Sequence, residues 1–214
     1  MVQIVPAILA KTPQQLEEDV KKVNSAPSLE GGWVHIDFAD DQFVPNKTVG
    51  LGEIERYPLA LQKEAHLMVN HPLEWVEGLK KLGFERVVFH FESKDNVEEV
   101  IDKIKTAGME VGVAIKDETS VENLEPFKDK IDLVLIMSVV PGFQGQPFLP
   151  SALEKIKELK VKNWPARVSI DGAVRETNAK EIIDAGADQL TVGSFLLKGD
   201  IEENVERIWE VIQG

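Results

Sequence analysis

Eight short runs rich in β-branched residues recur along this chain, separated by longer charged segments with apolar residues at helical spacing. The runs predict eight strands, at 2–6, 33–37, 63–68, 86–90, 111–115, 133–137, 167–171 and 189–192. The intervening segments predict helices, one of them opened by Thr12 and Pro13, and another capped by Asp95. Strict alternation of strand and helix is typical of a parallel sheet with helices packed outside it.

The size of each strand–helix unit decides between two kinds of parallel sheet. Eight units in 214 residues leave about 27 residues each, near the lower limit for a closed barrel. A doubly wound open sheet is the competitor, but no G-x-G-x-x-G follows the first strand. We therefore predict an α/β fold, a (β/α)8 TIM barrel that forms a single domain over residues 1–214. Residues 38–52 are predicted to form a functional loop, and Pro126 argues against a regular helix over 118–130.

Charge and cysteine content restrict the partners of this chain. Lys and Arg number 24 against 37 Asp and Glu, a net charge of −13, and cysteine is absent. An acidic body repels nucleic acid and anionic lipid, so we expect neither as a partner. Any anionic substrate needs backbone N–H groups or a metal ion to hold it. The lack of cysteine excludes thiolate chemistry and, with no secretory signal pattern at the N-terminus, favours a cytoplasmic protein.

Four polar side chains fall at predicted strand ends. His35 and Asp37 are two residues apart on one strand and therefore point to one face, while His66 and Asp171 end two other strands. Taken alone, each of these side chains is more simply interpreted as a hydrogen-bonded structural residue. Together, two imidazoles and two carboxylates suit one divalent ion such as Zn²⁺, Fe²⁺, Mn²⁺ or Co²⁺. His90 also ends a strand, but a packed histidine is the simpler interpretation there.

Glycines follow the last three predicted strands. Backbone N–H groups around them can bind a phosphate without Lys or Arg, although each glycine could equally serve only a tight turn. The residues concerned are Gly142, Gly145, Gly172, Gly193 and Ser194.

Short motifs in order along nearly the whole chain resemble the ribulose-phosphate 3-epimerase family. They are V-P-A-I-L (5–9), H-I-D (35–37), F-V-P-N (43–46), H-L-M-V (66–69), M-S-V (137–139), P-G-F (141–143), G-Q (145–146), I-D-G (170–172) and V-G-S (192–194). The resemblance implies interconversion of D-ribulose 5-phosphate and D-xylulose 5-phosphate through a metal-stabilised enediolate. It implies a phosphosugar partner, a homo-oligomer and a place in the pentose phosphate pathway.

The same resemblance assigns roles to individual residues. His35, Asp37, His66 and Asp171 would hold the metal, and Asp37 and Asp171 would act as the acid and base. Substrate contacts are implied for His66, Met68, Met137, Gly142, Phe143, Gln144, Gly145, Gly172, Ala173, Gly193 and Ser194.

Departures from the family pattern leave other functions open. Ala7 stands where the family usually has Ser, and Ala39 stands where it has the methionine of an M-D-G-H motif, so that one methionine of the substrate wall is absent. Gln144 and Ala173 stand where the family has Gly. These changes keep a ketohexose 6-phosphate (allulose 6-phosphate) 3-epimerase and a non-catalytic phosphosugar-binding barrel as alternatives. A decarboxylase with a D-x-K-x-x-D motif is excluded, since position 39 is not Lys.

Overall fold

The fold is a closed barrel of eight parallel strands, seen in a computed structural model that describes residues 2–142 and 145–214. Each strand pairs in parallel with the next, and β8 pairs with β1 to close the ring. The strands are Gln3–Ile8 (β1), Trp33–Ala39 (β2), Gln62–Met68 (β3), Arg86–His90 (β4), Glu110–Ile115 (β5), Leu133–Met137 (β6), Arg167–Asp171 (β7) and Gln189–Val192 (β8). The predicted (β/α)8 barrel is confirmed.

Helices fill the connections on the outside of the barrel. The α-helices are Pro13–Asn24 (α1), Leu51–Ile54 (α2), Val76–Lys81 (α3), Val97–Thr106 (α4), Ser151–Lys162 (α5), Glu176–Ala185 (α6), Ser194–Leu197 (α7) and Ile201–Gln213 (α8). Among the described residues, 3₁₀ helices lie at Pro27–Leu29, Pro72–Glu74 and Val121–Phe127. As predicted, Thr12 caps α1 by accepting the N–H of Gln15.

Tertiary contacts shift several predicted boundaries. Strand β2 continues to Ala39 because it pairs with β3 as far as Met68, so the loop predicted for 38–52 begins later and ends where α2 starts. The prediction that Asp95 caps α4 is wrong. Asn96 accepts the N–H groups at the start of that helix, and Asp95 instead accepts the N–H of Leu73.

Apolar side chains form a layer between strands and helices and fill one half of the barrel interior. The interior cluster on β4 to β6 includes Val88, Ala114, Leu135 and Met137. Packing there is tight, since a Cβ atom on Gly112 would lie 2.6 Å from Val88 Cγ2. The other half of the interior is free to carry polar groups.

Buried polar side chains occupy that other half. Gln189 on β8 donates a hydrogen bond of 3.0 Å to Glu64 on β3, which crosses the interior of the ring. Arg86 on β4 donates to the same carboxylate at 2.6 Å and stacks on the ring of Trp33. This buried polar network supports the site described below.

Over the described ranges 2–142 and 145–214, every helix is too short or too polar to cross a membrane.

Candidate metal and substrate site

Four side chains predicted from the sequence converge inside the barrel. His35 and Asp37 alternate on β2, His66 stands opposite Asp37 in the register of β3, and Asp171 ends β7. One ligand atom from each of the four lies within 4.8 Å of the others. Parallel strands bring these residues together because the ends of all eight strands meet at one rim of the barrel.

One carboxylate oxygen is the centre of the cluster. Asp37 Oδ1 lies 3.2 Å from His35 Nε2 and 2.8 Å from His66 Nδ1. Asp171 Oδ2 lies 4.0 Å and 3.8 Å from the same two nitrogens. Both histidines are fully buried, so the two carboxylates are the groups that face the cavity above.

In each histidine, the ring nitrogen that does not face Asp37 contacts a buried partner of its own. His35 Nδ1 lies 2.7 Å from Glu64 Oε1, and His66 Nε2 lies 3.0 Å from His90 Nε2. His90 Nδ1 lies 3.3 Å from Glu92 Oε2. The simple interpretation of His90 as a packed histidine missed this contact, which the register of β3 and β4 creates.

The two aspartates differ in pKa. Burial favours the neutral form of Asp37, but hydrogen bonds and charges of His35 and His66 outweigh it and lower the pKa of Asp37. Burial and the charge of Asp37 raise the pKa of Asp171 to about 6. The two carboxylates of the site therefore differ in their affinity for a proton, which suits a pair that must act as base and acid.

The donor set fits a divalent cation. Burial favours the neutral form of Glu64, but the hydrogen bonds and charges of His35 and Arg86 outweigh it and lower its pKa to about 2, so it is ionised and only accepts. Nδ1 of His35 must therefore donate to it, and Nε2 of a neutral ring points an unshared pair at Asp37. An acceptor nitrogen facing an acceptor oxygen requires a positive charge between them. Two imidazole nitrogens and two carboxylate oxygens match Zn²⁺, Fe²⁺, Mn²⁺ or Co²⁺.

Protonation replaces the cation in the metal-free chain. Burial opposes a charge on His35, but Asp37 and Glu64 outweigh it and raise the pKa of His35 well above its ordinary value. The site therefore attracts a positive charge in either state.

A cavity of about 680 Å³, open to solvent, lies above the four residues. Predicted site residues make up most of its lining: Asp37, Met68, Met137, Gly142, Gly145, Asp171, Gly172, Ala173, Gly193 and Ser194. His35 and His66 lie beneath it. Phe143 and Gln144, predicted to contact substrate, lie outside the described residues.

The loop after β7 is held in an unusual conformation at the cavity wall. Gly172 has φ of 120° and Ala173 has φ of 51°, a left-handed value that side chains disfavour. A Cβ on Gly172 would lie 2.6 Å from Val139, and the Ser138 hydroxyl donates 2.6 Å to the Gly172 carbonyl. Contacts with the β6 loop thus fix the backbone that faces the cavity.

One lining residue was not found by sequence reasoning. Arg175, exposed just before α6, lines the same cavity, and no carboxylate of the described residues pairs with it. The sequence around Arg175 gave no indication of this position, because a single arginine at the start of a helix is common on protein surfaces.

The fold and this site define a (β/α)8 barrel enzyme with its acidic and imidazole groups at the carboxyl ends of the strands. Residues 3–197 match the model of the ribulose-phosphate 3 epimerase family, and the chain belongs to that family.

Comparison with individual proteins agrees with the family match. The chain is 34% identical over 215 residues to the ribulose-phosphate 3-epimerase of Chlamydia muridarum, covering 97% of this chain and 93% of that protein. It is 34% identical over 200 residues to the cytoplasmic isoform of the enzyme from Oryza sativa subsp. japonica, covering 91% of this chain and 86% of that one. A solved mutant tryptophan synthase α-subunit from Pyrococcus furiosus shares the fold, with a TM-score of 0.74 at 12% identity over 97% of this chain and 98% of that one.

Proposed function

We propose that this protein is a metal-dependent 3-epimerase that interconverts D-ribulose 5-phosphate and D-xylulose 5-phosphate. The observation that carries the proposal is the convergence of two carboxylates of different pKa with two histidines beneath one cavity. Membership of the epimerase family supports the same reaction. The protein is accordingly an isomerase of carbohydrate metabolism that serves the pentose phosphate pathway.

Inversion at C3 needs a base on one face of the substrate and an acid on the other. The hydrogen at C3 is acidic because the neighbouring C2 carbonyl delocalises the charge left after deprotonation. Ionised Asp37 is ready to accept that proton, and Asp171, whose higher pKa makes it the carboxyl that binds a proton more readily, is the group that delivers one. In the reverse direction the two residues exchange roles. Met68 and Met137 give the flat intermediate an apolar, polarisable wall.

His35, Asp37, His66 and Asp171 would hold the cation, which we assign to Zn²⁺, Fe²⁺, Mn²⁺ or Co²⁺. When bound, a divalent cation supplies Lewis acidity toward the oxygens next to the reacting carbon. The remaining chemistry is the work of the two carboxylates, which face the cavity.

The phosphate is assigned to the glycines of the cavity wall. Gly142, Gly172 and Gly193 line the cavity, and their backbone N–H groups can approach a ligand without an intervening side chain. This arrangement suits a chain of strongly acidic composition, because it binds a dianion without a basic surface.

A ketohexose 6-phosphate is the second candidate substrate. Ala7 lines the cavity, where the family pattern would place a larger hydroxyl-bearing side chain. The extra space suits a sugar with one more hydroxymethylene group.

The test is an NMR assay of each ketose phosphate in D₂O with protein loaded with Co²⁺ or Zn²⁺. We expect deuterium at C3 and formation of the epimer with ribulose 5-phosphate, and a larger kcat/KM than with allulose 6-phosphate. The opposite ratio would assign the hexulose phosphate. Tight binding without exchange would identify a non-catalytic barrel, and the absence of both would refute the proposal.

We also propose a cytoplasmic location and a homo-oligomeric state. The absence of cysteine suits a reducing compartment. Fractionation of cells and light scattering of the purified protein test these two points.

A further inference from the structure

We propose that His90 and Glu92 are positioning residues that fix the tautomer of His66 so that its Nδ1 presents an unshared electron pair to the cation. The inference rests on the proposed function, since it takes His66 as a metal ligand. It assigns a role to a pair of residues, fully buried His90 and partly buried Glu92, that the proton-transfer steps do not use.

The two nitrogens of His66 face different surroundings. Nδ1 lies 2.8 Å from Asp37 Oδ1, at the centre of the cluster, whereas Nε2 lies 3.0 Å from His90 Nε2. In a contact between two imidazole nitrogens, one carries the hydrogen and the other accepts it. The direction of this one bond therefore decides which nitrogen of His66 is free to bind a cation.

Glu92 sets the direction. Its Oε2 lies 3.3 Å from His90 Nδ1, and an ionised carboxylate only accepts, so His90 Nδ1 must carry the hydrogen. The neutral ring of His90 then has a bare Nε2, which accepts the hydrogen from His66 Nε2. This leaves Nδ1 of His66 without a hydrogen, as a metal ligand requires.

Neighbouring groups hold Glu92 and His90 in this arrangement. The Lys116 N–H donates to Glu92 at 2.9 Å, and the Thr119 hydroxyl donates to the same oxygen. The ring of Phe43 packs 4.8 Å from that of His90, which is fully buried.

The experiment measures Co²⁺ affinity by competition with a chelator, together with the visible spectrum of the Co²⁺ protein. His90→Phe keeps a buried ring but removes both nitrogens, and we expect the dissociation constant to rise about 10- to 100-fold. His90→Gln supplies an oxygen that can accept from His66 Nε2, and we expect it to recover a large part of the affinity. Glu92→Gln weakens the bond that sets the direction and should give an intermediate loss.

His71→Phe is the matched control, because His71 makes the same kind of contact with a carboxylate, 2.9 Å to Asp95, away from the site. It should bind Co²⁺ as the wild type does. Thermal unfolding of each chelated variant separates a general loss of stability from a loss of affinity. If His90→Phe does not fold, His90→Gln and Glu92→Gln carry the test through their affinities alone.

Two results would overturn the inference, and they are distinguishable. Unchanged Co²⁺ affinity in His90→Phe and Glu92→Gln, with affinity lost in His66→Ala, would refute the positioning role and leave the proposed function standing. Unchanged affinity in His66→Ala as well, or no Co²⁺ binding by the wild type, would refute the metal site itself.

Discussion

Glu64 Oε1 accepts a hydrogen bond of 2.7 Å from His35 Nδ1, and both side chains are fully buried. The other oxygen of Glu64 lies 2.6 Å from Arg86 Nη1, so the carboxylate that orients His35 is neutralised by a buried arginine. The group that supports the site is thus an ion pair inside the barrel. The balance of charge in this pair is needed for folding as well as for the orientation of His35.

Removal of one partner of this ion pair is predicted to destabilise the fold. Arg86→Met leaves Glu64 charged without its closest cation, and we expect a loss of about 3–5 kcal/mol in the free energy of unfolding. The double variant with Glu64→Gln should recover part of the lost stability.

Arg167→Met is the control, because Arg167 is half-exposed and pairs with Glu110 at 3.0 Å. This substitution should cost at most about 1 kcal/mol. Urea denaturation measures all of these, and equal losses in the two single arginine variants would contradict the prediction.

Asp171→Asn is predicted to abolish epimerisation while the fold is retained. The amide keeps the volume of the side chain but cannot carry the proton, and loss of a general acid or base lowers rates about 10²- to 10⁴-fold. Turnover of ribulose 5-phosphate by NMR gives the rate, and circular dichroism gives the fold. Activity within tenfold of the wild type would remove Asp171 from the mechanism.

The protonation of Asp171 predicts a pH-dependent stability for the metal-free protein. Its pKa is raised from 3.8 to about 6 in the folded chain, so between these values the folded state holds a proton that the unfolded state has released. The stabilisation is therefore complete below pH 3.8 and is lost as the pH rises through 6, by up to about 1.4 kcal/mol per pH unit. Urea denaturation in EDTA at several pH values should show the wild type losing stability relative to Asp171→Asn over this range. Parallel curves would show that the pKa is not raised.

Sequence periodicity was enough to predict the barrel and the central four side chains. Alternation on β2 puts His35 and Asp37 on one face, and the common rim of parallel strands brings His66 and Asp171 to them. Both rules depend only on local spacing or on the order of the strands, and both can therefore be applied to a single sequence.

The supporting residues depend on contacts between strands that no local pattern specifies. Arg86 is a charged residue within a strand, and its burial follows only from Glu64 and Trp33 beside it in the ring. His90 reaches His66 because β4 neighbours β3 in a register set by the whole barrel. The same kind of tertiary pairing extends β2 to Ala39.

Arg175 is predicted to contribute to binding of the substrate phosphate. It lines the cavity together with Gly172 and Ser194, and it brings a positive charge to a strongly acidic chain. Arg175→Gln should raise KM for ribulose 5-phosphate about three- to tenfold with kcat unchanged, equivalent to about 1 kcal/mol for an exposed charge pair. The inhibition constant of inorganic phosphate should rise by a similar factor, and both changes should shrink at high salt.

Arg207→Gln is the control, because Arg207 pairs with Glu176 at 2.5 Å outside the cavity lining. This substitution should leave KM unchanged. Equal KM values for Arg175→Gln and the wild type at low salt would assign phosphate binding to the backbone N–H groups alone.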